Sequence, residues 1–334
     1  MNLNKFFLLL VFVFLSGKSY SSETLEFGII DSQSSEPYST IRKHLYSRLS
    51  EKGYDLGKNL ITHEFAIGNR KGVVKNIWKY YFKGKIDIAY VSGTLATIGA
   101  KEIFEGKPIN VIFAAPTDPV GIGVIKGFNQ KPYANFTGIS YPVKVSKRLR
   151  FVRELIPNLK RIGYIYSDMP QSLSYLGWLK TAMKLPEFRD IKLILRKVPF
   201  IPSEGGHMRM AKLAKKYVLE LNDQVDVFLS PNDQMGTQKA FAQMVFSNSK
   251  KPLIGVGRKD VNESWGATAS LYPSLLNIGY VAADMILKLA KRKSLKSILP
   301  TQPKEGITID KKLAKKFNLK IPKKYRKFYF SSAY

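Results

Sequence analysis

No cysteine occurs anywhere in the 334 residues. That absence excludes disulfide bridges, thiolate nucleophiles and a lipid-modified cysteine near the amino terminus. Histidine is nearly as scarce, with three in all: His44, His63 and His207. None stands at a spacing that makes a metal site or sets a base beside a nucleophile. Acidic residues are few, 25 against 54 lysines and arginines, which leaves a formal net charge of +29. The glycine-containing phrases GIGVIKG (residues 121–127) and SEGGH (residues 203–207) lack the Gly-Lys-Ser/Thr ending of a phosphate loop, with its lysine and hydroxyl, and the strand-to-helix setting of a dinucleotide site. The composition therefore points away from an enzyme and calls for no cofactor and no metal.

Long apolar runs are missing too, except at residues 6–15, which follow the short basic start MNLNK and precede SGKSYSS. Those are the three parts of a secretory signal peptide, residues 1–21, with the cut expected after Ser21. An uncleaved anchor is the other reading, but as a helix the run spans roughly 15 Å, half of a bilayer's hydrocarbon core. An exported chain without lipid or later spans fits the periplasm, and export argues against nucleic acid as the partner of the basic charge. Basic residues thicken towards the end, from Lys291 to Lys327. That run is either a solvated basic face or a surface for anionic headgroups or an acidic partner.

What remains is a regular alternation. The stretch INVIFAAPTDPVGIGVI, residues 109–125, begins as a continuous β-branched apolar run and ends in a polar, proline-stiffened turn. Strand-like runs at residues 25–30, 61–66, 86–91 and 109 onward alternate with helical patterns at 38–52, 71–82 and 96–104. After a Gly, Asn and Pro-containing stretch at 126–132 the plan restarts. Strands are expected at 161–166, 191–198, 225–230 and 252–257, with helices at 145–155, 173–184 and 207–221. Two α/β units with parallel sheets follow from this, each strand delivering a polar loop to the edge where open α/β sheets hold ligands.

The phrases GYDLGKNL (residues 53–60), GTLATIGAKE (93–102), the stretch 109–125, NFTGISYPVKVSKRLRFVRELIPNLKRIGYIY (135–166) and VDVFLSPNDQ (225–234) resemble, in order, the TrpX-like family of ABC-transporter substrate-binding proteins. The resemblance implies a type I periplasmic binding protein fold: two Rossmann-like lobes joined by a three-crossing hinge and closing on a small solute. The lobes would be residues 24–137 with 272–300, and 138–271 with 301–330. A membrane permease of an ABC transporter, or else a membrane sensor, would be the partner of a monomeric binding protein.

Carried over position by position, the ligand-facing residues of the first lobe would be Asp31, Ser32 and Gln33, then Ser92, Gly93 and Thr94, then Pro116, Thr117 and Asp118. In the second they would be Asp168, Gln171 and Ser172, then Asn232 and Asp233, and finally Arg258. In members that take aromatic amino acids an acidic side chain holds the ammonium while hydroxyls and helix amides hold the carboxylate. Asp233, and Ser92 with Thr94, would take those roles, although Asp233 and Ser92 read equally well as helix caps. Tyr38, Tyr90, Tyr141 and Trp265 are available for stacking or for the core. The chain departs from the family at SDMPQS (residues 167–172) and at Arg258, whose guanidinium suits a carboxylate or phosphate and implies a ligand that is at least partly anionic.

Overall fold

The computed structural model describes residues 24–128 and 130–331. The expected signal peptide lies outside the described residues. Among them no helix is long and apolar enough to cross a membrane.

Five parallel strands make the first sheet: β1 (Leu25–Asp31), β2 (Leu60–Ala66), β3 (Ile88–Ser92), β4 (Asn110–Ala114) and β5 (Phe136–Ile139), in the order β2-β1-β3-β4-β5. Side chains alternate across a strand, and here both faces are apolar. Ile88 and Tyr90 of β3 and Ile112 of β4 point into one core, while Ala89, Val91, Val111 and Phe113 point into the other. The first face is covered by α1 (Tyr38–Glu51); the second by α2 (Val73–Ile77), a π-helical turn at Trp78–Phe82, and α3 (Thr94–Phe104). The helix expected at 71–82 is therefore split, its end widened into the turn that buries Phe82. A short α4 (Pro119–Ile122) follows β4.

The second sheet has seven strands: β6 (Arg161–Ser167), β7 (Lys192–Val198), β8 (Val227–Leu229), β9 (Leu253–Gly255), β10 (Ala269–Pro273), β11 (Glu305–Asp310) and β12 (Tyr329–Phe330), ordered β12-β11-β10-β9-β8-β6-β7. Helices α5 (Val145–Leu155) and α6 (Pro170–Ala182) pack on one face; α7 (Gly206–Leu221) and α8 (Lys239–Asn248) pack on the other. Helix α6 starts at Pro170, ahead of the expected 173, because proline fits a first turn that needs no donor. Beyond the short α9 (Lys259–Asn262) and β10, the chain returns to the first lobe as α10 (Leu275–Ala290), whose Ile278, Ala282 and Ile286 join the core under α1. It then comes back through β11 and α11 (Lys311–Lys316). All pairings are parallel except β10 with β11, so the second sheet is mixed rather than wholly parallel. The chain passes between the sheets three times: after Ile139, after Pro273 and around Thr301, which pairs with Ile139.

Candidate functional site

The loops that leave the carboxyl ends of the two sheets face each other and enclose a space of about 290 Å³ including its open mouth. Tyr38, Thr94 and Thr117 line it from the first lobe, Gln171, Asn232 and Gln234 from the second, and Tyr141 from the first crossing.

Local chemistry explains how each wall is held. Gly93 has φ +90, and a Cβ there would sit 2.5 Å from the Ser32 hydroxyl oxygen, so glycine is required for β3 to turn into α3 beside Ser32. Ser32 Oγ accepts from the Ala96 amide at 3.1 Å, and Thr94 Oγ1 accepts from the Thr117 amide at 3.1 Å. Ala115 holds φ +59, a left-handed conformation that costs an alanine roughly 1 kcal/mol or more. Beyond that turn Thr117 enters the cavity. In the second lobe the buried Arg148 donates to the carbonyls of Ser230 (3.0 Å), Ile254 (3.2 Å) and Gly255 (3.0 Å), tying together the ends of β8 and β9.

The lobes also touch directly. The Asn232 side chain donates to Thr117 Oγ1 at 3.1 Å, and the amides of Gln33, Asn69 and Gln234 are bonded to one another across the gap. Lys259 pairs with Glu36 at 2.7 Å, while Glu204 accepts from the amide and hydroxyl of Ser34. The structure is therefore closed.

The expected residues divide accordingly. Thr94, Thr117, Gln171, Asn232 and Asp233 line the cavity. Ser32, Gln33, Ser92, Gly93, Pro116 and Ser172 are buried behind or beside it. Asp233 accepts from the amide and hydroxyl of Ser167 at 2.9 Å each, from Ser172 Oγ at 2.8 Å and from the Gly236 amide at 2.9 Å, so it serves as a turn cap as well as a cavity wall. Burial pushes its pKa up against those donors. Asp31 is buried against Arg42, with one carboxylate oxygen lacking any hydrogen-bond partner, and burial raises its pKa to about 7. The Ser92 hydroxyl is buried and interacts with the Tyr90 hydroxyl. Three residues go elsewhere. Asp118 caps α4 through the Gly121 amide at 2.8 Å; Asp168 is exposed and paired with Lys197 at 3.1 Å; Arg258 is exposed and lines a separate cavity beside the hinge. Of the aromatics, Tyr38 and Tyr141 reach the enclosed space, Tyr90 lies in the core of the first lobe, and Trp265 packs in the core of the second while also lining the hinge cavity. Asn69, Gln234 and Glu204 were not among the expected residues. Asn69 follows β2 at the same sheet edge as the other loops, a signal that applied to it equally.

A family model described as ABC transporter substrate binding protein matches residues 28–329. The chain belongs to that family. This substrate-binding protein is 24% identical over 259 residues, 77% of its length and 70% of the relative's, to a tyrosine-binding protein of Clostridioides difficile (strain R20291). Among solved structures it resembles a conserved domain protein from Vibrio cholerae (TM-score 0.78, 21% identity, 92% of this chain and 99% of that one). It also resembles an ABC domain from Streptococcus pneumonia in complex with L-Trp (TM-score 0.76, 22% identity, 92% and 98%). A ligand-free, open substrate binding protein from Clostridium difficile aligns with TM-score 0.67 at 19% identity, over 92% and 100% of the two chains. The family model, the tyrosine-binding relative and the open Clostridium difficile structure are all described as binding proteins, not as enzymes. The fold they share is the type I periplasmic binding protein fold, two α/β lobes around a cleft.

Proposed function

We propose that the protein is exported to the periplasm by cleavage of residues 1–21, and acts there as the monomeric capture component of an ABC importer whose ligand is an amino acid with a flat side chain. The lobes, residues 24–137 with 272–300 and 138–271 with 301–330, close on it by hinge motion. The observation that carries this reading is the composition of the enclosed space. Tyr38 and Tyr141 supply ring surface, the first turns of α3 and α6 arrive from opposite lobes at Thr94 and Gln171, and among the described residues no lysine or arginine lines it. Helix N-termini favour a carboxylate without needing a full positive charge, so the anionic character expected of the ligand is met by an amino acid's own carboxylate. The Gln171 amide oxygen is buried with no partner and, with Asp233, offers acceptors for an ammonium. The tyrosine-binding relative and the L-Trp complex support the same ligand class.

Calorimetric titration and thermal shift of the chain from residue 22 onward test this. L-Tryptophan and L-tyrosine should bind and raise the melting temperature, by about 2.7 kcal/mol of stabilisation at a hundredfold excess over Kd. Indole, phenol and L-alanine, which each lack one half of the recognition, should bind far more weakly. Binding of dicarboxylates or sugars in place of amino acids would overturn the assignment. Deletion of the gene should abolish uptake of the same amino acid; unchanged uptake would instead make the protein a sensor subunit.

A further inference from the structure

A second and larger cavity, about 1070 Å³ including its open mouth, lies beside the first and shares Pro37, Tyr141 and Thr237 with it. Its walls come from three parts of the molecule: Glu36 and His44 from the first lobe, Arg258 and Trp265 from the second, and Tyr272 and Ser274 from the second crossing. The carboxylates around it are already engaged. Asp260 turns to the amides of Val256 (2.8 Å) and Gly257 (2.9 Å), and Lys259 sits between Glu36 (2.7 Å) and Glu263 (3.6 Å). Among the described residues Arg258 makes no ion pair and no side-chain hydrogen bond, although it lines a cavity whose other side is aromatic. Trp265 is 6% exposed and Tyr141 5%, so each presents only a small part of its ring to that space, and Tyr272 is half-buried beside them.

We propose that this hinge-side cavity is a second ligand site that takes a small aromatic carboxylate, the carboxylate on the Arg258 guanidinium and the ring against Trp265 and Tyr272. A guanidinium fork matches a carboxylate in two parallel hydrogen bonds, and a flat ring suits walls of Trp and Tyr. Because both lobes and a crossing contribute to the walls, the site is complete only when the lobes are closed. Its occupant therefore binds the closed form better than the open one, and by linkage tightens the enclosed site by the same factor that a ligand there tightens this one. The coupling rests on lobe closure as proposed above; the second site does not depend on which solute the enclosed space takes.

The test titrates benzoate and indole-3-acetate, with benzamide and indole-3-acetamide as uncharged counterparts, into the mature chain and into Arg258→Gln, Gln171→Ala and Lys296→Gln. Gln171 lines the enclosed space and not the hinge cavity, and Lys296 is exposed outside both. The carboxylates should bind wild type, Q171A and K296Q alike, and R258Q about tenfold or more weakly; the amides should be weak throughout. The proposal is overturned by unchanged binding in R258Q, by equal binding of acids and amides, by loss confined to Q171A, or by no binding up to about 10 mM, where even millimolar affinity registers. Tryptophan binding lost in Q171A but intact in R258Q separates failure at one site from failure at the other.

Discussion

At the scale of single residues, two buried carboxyl groups are treated differently. Asp233 has four donors within 2.9 Å, enough to satisfy a carboxylate removed from water. Asp31 has Arg42 on one oxygen and nothing on the other, and desolvation wins over the ion pair, so its pKa rises to about 7. Below about pH 4 the group is protonated in both the folded and the unfolded chain. As pH rises towards 7 the unfolded chain releases the proton first, so folding is penalised progressively and the full penalty stands above the folded pKa. Wild type should therefore lose stability relative to Asp31→Asn, by of order 1 kcal/mol per pH unit across that window. Urea unfolding of the pair at several pH values measures it. A difference that stays flat, or that moves in favour of wild type, would mean the Arg42 charge prevails.

At the scale of elements, α10 is the part of the chain that crosses back, and its contact with α1 is close enough to demand a particular residue. A Cβ at Gly279 would meet the Ile41 carbonyl oxygen at 2.5 Å, His44 Cβ at 2.7 Å and the Leu45 amide at 2.8 Å, mostly backbone that cannot step aside. Gly279→Ala should cost about 1–3 kcal/mol by prising the helices apart. Gly177, on the exposed side of α6, has nothing within 4 Å of its added Cβ, so Gly177→Ala should stabilise by about 0.4–1 kcal/mol through the unfolded chain. Melting temperatures of the two variants should move in opposite directions.

The same elements show what a sequence reveals. Strands such as β3 and β4 are legible because burial on both faces demands an unbroken apolar run. Strand β5, four residues beside a Gly and Pro-containing stretch, has no such run, and β11 and β12 owe their pairing to partners brought up by a distant return of the chain. The loops of the site are legible because sheet topology puts them at one edge. Side-chain direction is not encoded there: Asp168 turns out to Lys197 and Arg258 to the hinge, in loops otherwise well placed.

At the scale of the whole molecule, side-chain hydrogen bonds and an ion pair join the two lobes in the closed form. Each such hydrogen bond contributes only about 0.5–1.5 kcal/mol net, so under the proposed hinge motion a ligand's differential binding is of the size needed to shift the balance between open and closed forms. Asn69 is the place to test this. Its side chain donates to Gln33 at 3.1 Å and to Gln234, and it does not line the enclosed space. Its backbone sits at φ +58, so alanine would add strain, whereas Asn69→Gly removes the side chain and keeps the conformation. The variant should show a larger radius of gyration by X-ray scattering when ligand-free and the wild-type value when saturated with the amino acid that wild type binds. Apparent affinity should fall about three- to thirtyfold, in proportion to the lost closed fraction, although no ligand contact has been touched. If scattering of the ligand-free variant matches wild type while affinity is unchanged, the amide cluster does not latch the lobes, and closure must come from the ligand and the hinge alone.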